Sequence, residues 1–173
     1  MPLRFGRCKQ YRLPYFNYAS NAYYFVTICT KDRKHYFGDI RNSAIELSDT
    51  GKIVQRCLTE LPKKLSYVTV DEFVIMPNHV HAIVFINNPE EKRTIRTKQF
   101  QPAKRSLSLV IRNFKSTATL LARRETSLMN IWQARFYDHI VRNDDELDRM
   151  RTYIRNNPAQ WETDKNNPEN LLM

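Results

Sequence analysis

The chain has 173 residues, 42% of them hydrophobic, which suits one domain with a real core and room for short extensions. No apolar run approaches the roughly 18 residues of a membrane span, and the basic start, Met1 to Gln10, lacks an apolar signal core. Three cysteines, Cys8, Cys29 and Cys57, have no paired spacing; this disfavours a disulfide scaffold or zinc ribbon and suits a reducing cytoplasm.

Residues 1–20 form a basic and aromatic extension, with Arg4, Arg7, Lys9 and Arg12 interleaved with Phe5, Tyr11, Tyr15, Phe16 and Tyr18. Tyr23 to Thr30 is aromatic and β-branched and reads as a strand. Lys31 to Lys34 reads as a charged turn. Leu47 to Leu65 reads as a helix capped by Ser48 or Asp49, its stripe Ile53, Cys57, Leu58 and Leu61, ended or kinked by Pro62.

Val68 to Met76 reads as a second strand, Pro77-Asn78 as a turn, and His79 to Ile86 as a third strand. Alternation places His79, His81, Ile83 and Phe85 on one face of that strand and Val80, Ala82, Val84 and Ile86 on the other, so it is expected to be central. Asn87 to Lys104 reads as a basic loop. Ser106 to Arg124 reads as a helix with core positions Leu107, Val110, Ile111, Phe114, Ala118 and Leu121. Phe136 to Val141 is expected to be a short fourth strand. Asn143 then caps a last helix with the acidic first turn Asp144-Asp145-Glu146, ending at Asn156 or Asn157 before Pro158. Trp161 to Met173 reads as a polar, frayed tail.

This order predicts an α+β, ferredoxin-like split βαβ domain over 21–160. It would have a four- to five-stranded antiparallel sheet, helices on one side, and an extra C-terminal helix.

The net charge is +10, and the segment from Lys92 to Arg124 holds ten Lys or Arg with no Asp or Glu. Such a field suits a polyanion, and the lack of a basic amphipathic segment with aromatic anchors turns the reading from lipid to nucleic acid. Arg112, Lys115, Ser116, Thr119 and Arg123 recur at helical spacing. They read either as a solvated face or as a row of phosphate contacts, with Arg12, Lys104 and Arg105 as further DNA-binding candidates.

His79 and His81 sit two positions apart on one strand face, about 6–7 Å along it, and two imidazoles so placed can hold one metal ion. A bare His-x-His is read equally well as two partly buried rings bonded to backbone. His35, in a charged loop, and His139, in a strand, read as surface or satisfied residues. No Cys or His stands at fixed spacing to complete a zinc site. Two imidazoles with an amide or carboxylate oxygen suit Mg²⁺ or Mn²⁺, with phosphate completing the shell. Tyr153 lies on the margin of the last helix's apolar stripe, and Asn157 is one turn further on the same side.

The blocks PNHVHAIVFI, SLSLVIRNFKS and IWQARFYDHIVRNDDELDRMRTYIRNNPAQW, with the lead RLPYFNYASNAYYFVTICT, resemble the single-tyrosine HUH transposases. The likeness is to the REP-associated tyrosine transposases in particular, and it covers residues 12–161. It implies that His79 and His81 are metal ligands, Tyr153 the nucleophile and Asn157 a further metal ligand; Lys115 and Ser116 fall in a recurrent block. It also implies a metal-dependent endonuclease and strand transferase that cuts single-stranded DNA beside hairpin repeats through a 5′-phosphotyrosine, as a monomer or homodimer. The alternative is a non-catalytic or domesticated nucleic-acid-binding protein of the same fold, with Tyr23-Tyr24-Phe25 as a stacking platform.

Overall fold

A computed structural model of the chain describes residues 17–88 and 105–163. Arg12, Lys104, most of the N-terminal extension and most of the basic loop lie outside the described residues.

Strands β1 (Ala22–Cys29), β4 (Val68–Met76), β5 (His79–Ile86) and β6 (Tyr137–Ile140) form one sheet in the order β4-β5-β1-β6. Every neighbouring pair is antiparallel. This is the split βαβ arrangement expected, with four strands. A small hairpin of β2 (Gly38–Arg41) and β3 (Ala44–Leu47) was not foreseen, because its short segments carry no sustained alternation. Helix α1 spans Asp49–Lys64, α2 Leu107–Thr126 and α3 Asp144–Asn156.

Ser48 starts α1, its hydroxyl accepting from Gly51 N at 3.1 Å. Pro62 neither ends nor splits this helix, which runs two residues beyond it. In the last turn the proline removes only one ladder bond. Gly51 is required where it stands: a Cβ there would lie 2.1 Å from the backbone oxygen of Phe37. That close approach holds Phe37, whose N–H donates to Pro77 O at 3.0 Å and so fixes the turn before His79.

The two faces of the sheet have different covers. Tyr24, Val26 and Ile28 of β1 and Val80, Ala82, Val84 and Ile86 of β5 pack with α1 and α2 in the main core. Phe25 and Ile83, on the opposite face, pack with Leu147, Met150 and Ile154 of α3. The alternation read in β5 is therefore observed, and the central position follows from its two partners. Both faces carry apolar residues because both are covered.

Helix α3 ends at Asn156, before Pro158, as expected, but the chain does not fray there. Asn157 keeps helical dihedrals (φ −58, ψ −42), and a 3₁₀ turn continues over Pro158–Thr163. The local penalty on a residue preceding proline is offset by burial: Asn157 is 2% exposed and Trp161, read as the start of a frayed tail, is 8% exposed. Among the described residues no helix is long and apolar enough to cross a membrane.

Candidate active site

The α3-covered face of the sheet holds the histidine pair. Antiparallel register sets Thr27 of β1 opposite His81, and Cys29 opposite His79. Both imidazoles are buried, His79 at 0% and His81 at 2% exposure. Their Nε2 atoms lie 3.0 Å apart. The Nδ1 atom of each ring faces a separate oxygen: Asn78 Oδ1 at 2.8 Å from His79, and Thr27 Oγ1 at 2.8 Å from His81.

Helix α3 brings the tyrosine to this point. Tyr153 is half-buried on the margin of the apolar stripe, and its hydroxyl is 3.4 Å from His81 Nε2. Phe25 stacks on His81 with centroids 5.3 Å apart and meets Tyr153 edge-on at 6.0 Å. One turn on, Asn157 is buried, and its Oδ1 has no hydrogen-bond partner among the described residues. A buried, unsatisfied amide oxygen costs about 1–3 kcal/mol, so its retention points to a partner such as a cation. Trp161 then closes the site, its ring stacked on His79 at 6.1 Å.

The donor set suits a hard divalent ion. Two nitrogens about 2.1 Å from an octahedral metal at adjacent positions stand roughly 3 Å apart, which matches the Nε2 pair. An oxygen bonded to the second nitrogen of each ring is the usual support of a metal-binding histidine. Among the described residues no cluster of three or more His, Cys, Asp and Glu side chains is placed to hold a metal, so an amide oxygen is the natural third donor. That again favours Mg²⁺ or Mn²⁺ over structural zinc.

Ion pairs hold α3 to the edge strand. Arg151 grips Asp71 through two bonds of 2.8 Å, and Arg155 grips Glu72 through bonds of 3.0 and 2.7 Å. Successive strand residues ordinarily point to opposite faces, but a bulge between Val70 and Glu72 lets both carboxylates reach one helix. At the start of α3, Asn143 Oδ1 accepts from Glu146 N, while Glu146 accepts from Arg142 N at 2.7 Å and pairs with His139 Nε2 at 2.9 Å. Burial pushes the Glu146 carboxyl up, but those two hydrogen bonds and the nearby charges outweigh it and hold its pKa below the ordinary value. His139 is thus a satisfied residue, as expected. His35 lies 3.9 Å from Asp39 and edge-on to Trp161.

The basic face of α2 forms one wall of a groove of about 720 Å³, with Arg112, Lys115, Ser116, Thr119 and Arg123 along it. Residues 129–134 and Phe136 form the other wall. Leu120 and Met129, the large apolar side chains most exposed among the described residues at 58% and 55%, also line it. Arg112, Ser116 and Arg123 are exposed. Lys115 instead donates to the carbonyls of Gln133, Ala134 and Arg135 at 2.5–3.3 Å, and burial lowers its pKa. Its ammonium shapes the groove wall. Arg105 lies over the Tyr67 ring at 5.5 Å and 3.5 Å from Asn88 Oδ1. The groove meets the histidine end of the sheet, since Gln133 N donates to Cys29 O, and Cys29 pairs with His79.

The aromatic stacking platform loses support here. Tyr24 and Phe25 are 0% and 2% exposed, one under each cover of the sheet, so no aromatic platform for bases exists at those positions. Cys57 is buried and its thiol is pushed up by burial, which makes it a poor nucleophile.

The fold thus brings a buried histidine pair on a split βαβ sheet together with a tyrosine on a covering helix. No family model matches the chain. It is 36% identical over 162 residues to an uncharacterised Haemophilus influenzae protein, with 89% of each covered. It is 27% identical over 146 residues to a protein of the same species provisionally named a REP-associated tyrosine transposase, covering 83% of this chain and 74% of that one. In fold it resembles a REP-associated tyrosine transposase solved bound to a REP hairpin, with a TM-score of 0.61 and 20% identity over 90% of this chain and 76% of that one. The chain is thus similar in sequence, and in fold, to REP-associated tyrosine transposases.

Proposed function

We propose that this chain is a metal-dependent enzyme that nicks and joins single-stranded DNA beside hairpin repeats. The observation that carries the reading is one constellation. The Nε2 atoms of His79 and His81 stand 3.0 Å apart, Tyr153 hydroxyl is 3.4 Å from the second of them, and Asn157 Oδ1, without a hydrogen-bond partner among the described residues, lies one turn on. Mg²⁺ or Mn²⁺ held by His79, His81 and Asn157 would draw charge from the scissile phosphate's oxygens and orient the group.

Tyr153 is the nucleophile. Its oxygen forms a bond to phosphorus as the bond to the 3′ oxygen breaks, leaving a 5′-phosphotyrosine and a free 3′ hydroxyl. The phenol loses a proton and the 3′ oxygen gains one, so the exchange is balanced. The phosphodiester's energy is kept in the new bond, and a second 3′ hydroxyl reverses the step to join strands. Phe25 holds the Tyr153 ring edge-on, and Trp161 screens His79 from water. Arg112, Ser116 and Arg123 contact the DNA backbone in the α2 groove, with Lys115 shaping its wall. The groove's apolar residues, Leu120 and Met129, suit the faces of unpaired bases. Arg105 is a further candidate for DNA contact, and Arg12 and Lys104, which lie outside the described residues, are candidates from the sequence.

The test is incubation with labelled single-stranded hairpins from the flanking DNA, with Mn²⁺ and with EDTA. The expected result is a denaturant-resistant protein–DNA adduct that needs the metal, disappears in Tyr153→Phe, and is absent in His79→Ala and His81→Ala. Tight binding with no adduct on any flanking hairpin would return the protein to the class of silent binders.

A further inference from the structure

The oxygens behind the two histidines differ in chemistry, and the difference is informative. Asn78 Oδ1 can only accept a hydrogen bond. The amide is oriented by its other end, since Asn78 Nδ2 donates to Arg33 O at 3.2 Å. The Asn78 backbone is pinned too, its carbonyl accepting from Thr30 N at 2.9 Å and from Thr30 Oγ1 at 3.0 Å. Asn78 and Thr30 are 1% and 0% exposed. His79 Nδ1, 2.8 Å from Asn78 Oδ1, must therefore carry the proton, which leaves a lone pair on its Nε2.

His81 faces a hydroxyl, which both donates and accepts. With the His79 Nε2 lone pair 3.0 Å away, neutral His81 completes both of its bonds by protonation on Nε2, with Thr27 donating to Nδ1. With the proton on Nδ1 instead, Thr27 turns its hydroxyl to accept, and both Nε2 atoms present lone pairs. Neither state leaves His81 Nδ1 unpaired. An acceptor-only residue at position 27 would lock one state, and an apolar one would satisfy neither.

Resting on the proposed metal site, we propose that Asn78 and Thr27 are positioning residues with separate tasks: Asn78 fixes the His79 tautomer, and Thr27 lets His81 exchange tautomers between the metal-free and ligating states.

The experiment reads ring-nitrogen ¹⁵N shifts of the four histidines, together with Mn²⁺ affinity by electron paramagnetic resonance. Metal-free protein is expected to show His79 protonated on Nδ1 and His81 on Nε2. Saturation with Zn²⁺, a diamagnetic stand-in, moves the His81 proton to Nδ1. Thr27→Val keeps the β-branched shape of the strand and weakens Mn²⁺ binding about tenfold, while Thr27→Ser restores it. Asn78→Asp, which keeps the acceptor, leaves the His79 tautomer as it is. His79 protonated on Nε2 in the free protein, or Thr27→Val with wild-type Mn²⁺ affinity, would overturn the assignment. If the wild-type protein binds neither metal, the metal site itself fails, and the metal-free tautomers still judge Asn78 and Thr27 separately.

Discussion

Asn157, the proposed third metal ligand, illustrates how a functional atom would work against stability. Its buried Oδ1 lacks a partner among the described residues, while its backbone N–H is retained in the helix end, donating to Ile154 O at 3.3 Å. Asn157→Leu is therefore expected to raise the stability of metal-free protein by about 1 kcal/mol, or roughly 2–4 °C in Tm. The same change should weaken Mn²⁺ binding about tenfold. Calorimetry beside metal titration checks both; a fall in Tm would mean that the oxygen is already satisfied in the folded protein. The shared face of the histidine pair and the marginal position of Tyr153 were legible in the sequence from local periodicity, alternation in a strand and 3–4 spacing in a helix, while their roles came only from the family resemblance. Thr27 and Asn78 were not. Thr27 reaches His81 across a strand pair 54 residues apart in sequence, and Asn78 reads in sequence simply as a turn residue.

At the scale of elements, α3 is the part on which the proposed catalysis depends, and it is held by a thin apolar contact plus polar ties. Leu147, Met150 and Ile154 meet Phe25 and Ile83, and the arginine pairs to Asp71 and Glu72 fix the outer side. Removing both ties with Arg151→Ala and Arg155→Ala should slow adduct formation about tenfold to a hundredfold through misplacement of Tyr153. DNA affinity should change little; single-turnover rates beside binding isotherms separate the two effects. The first turn of α3 predicts a pH effect. The folded pKa of Glu146 is depressed, so its contribution is present above the unfolded value of about 4.5 and is lost as pH falls through the folded value. Glu146→Ala should cost about 1 kcal/mol at pH 7, and that difference should shrink on acidification below about 4.5, as followed by denaturation at several pH values. The acidic first turn and the Asn143 cap were readable from sequence, but the bulge that turns Asp71 and Glu72 to the same helix was not. A bulge is an accommodation between strands and leaves no periodic mark.

On the scale of the whole molecule, the sheet separates two tasks. One face, under α3, holds the histidines and tyrosine; α2 lies over the other and carries the basic groove, which reaches the histidine end through the 131–133 segment beside β1. Single Arg112→Ala and Arg123→Ala variants should each weaken binding of single-stranded DNA and flatten the slope of log affinity against log salt by about 0.7. Titration at several salt concentrations tests this, and an unchanged slope would make the face a merely solvated one. The sequence by itself determined the order of the four main-sheet strands and three helices, both faces of β5, the cap and stripe of α3, and the basic character of α2, because these follow from local periodicity and composition. Tertiary structure alone decided that Lys115 shapes a wall, that Tyr24 and Phe25 are buried, and that Trp161 closes the site. It also brought the Nε2 atoms to 3.0 Å and Tyr153 to 3.4 Å, since such distances arise where elements remote in sequence bury one another's surfaces.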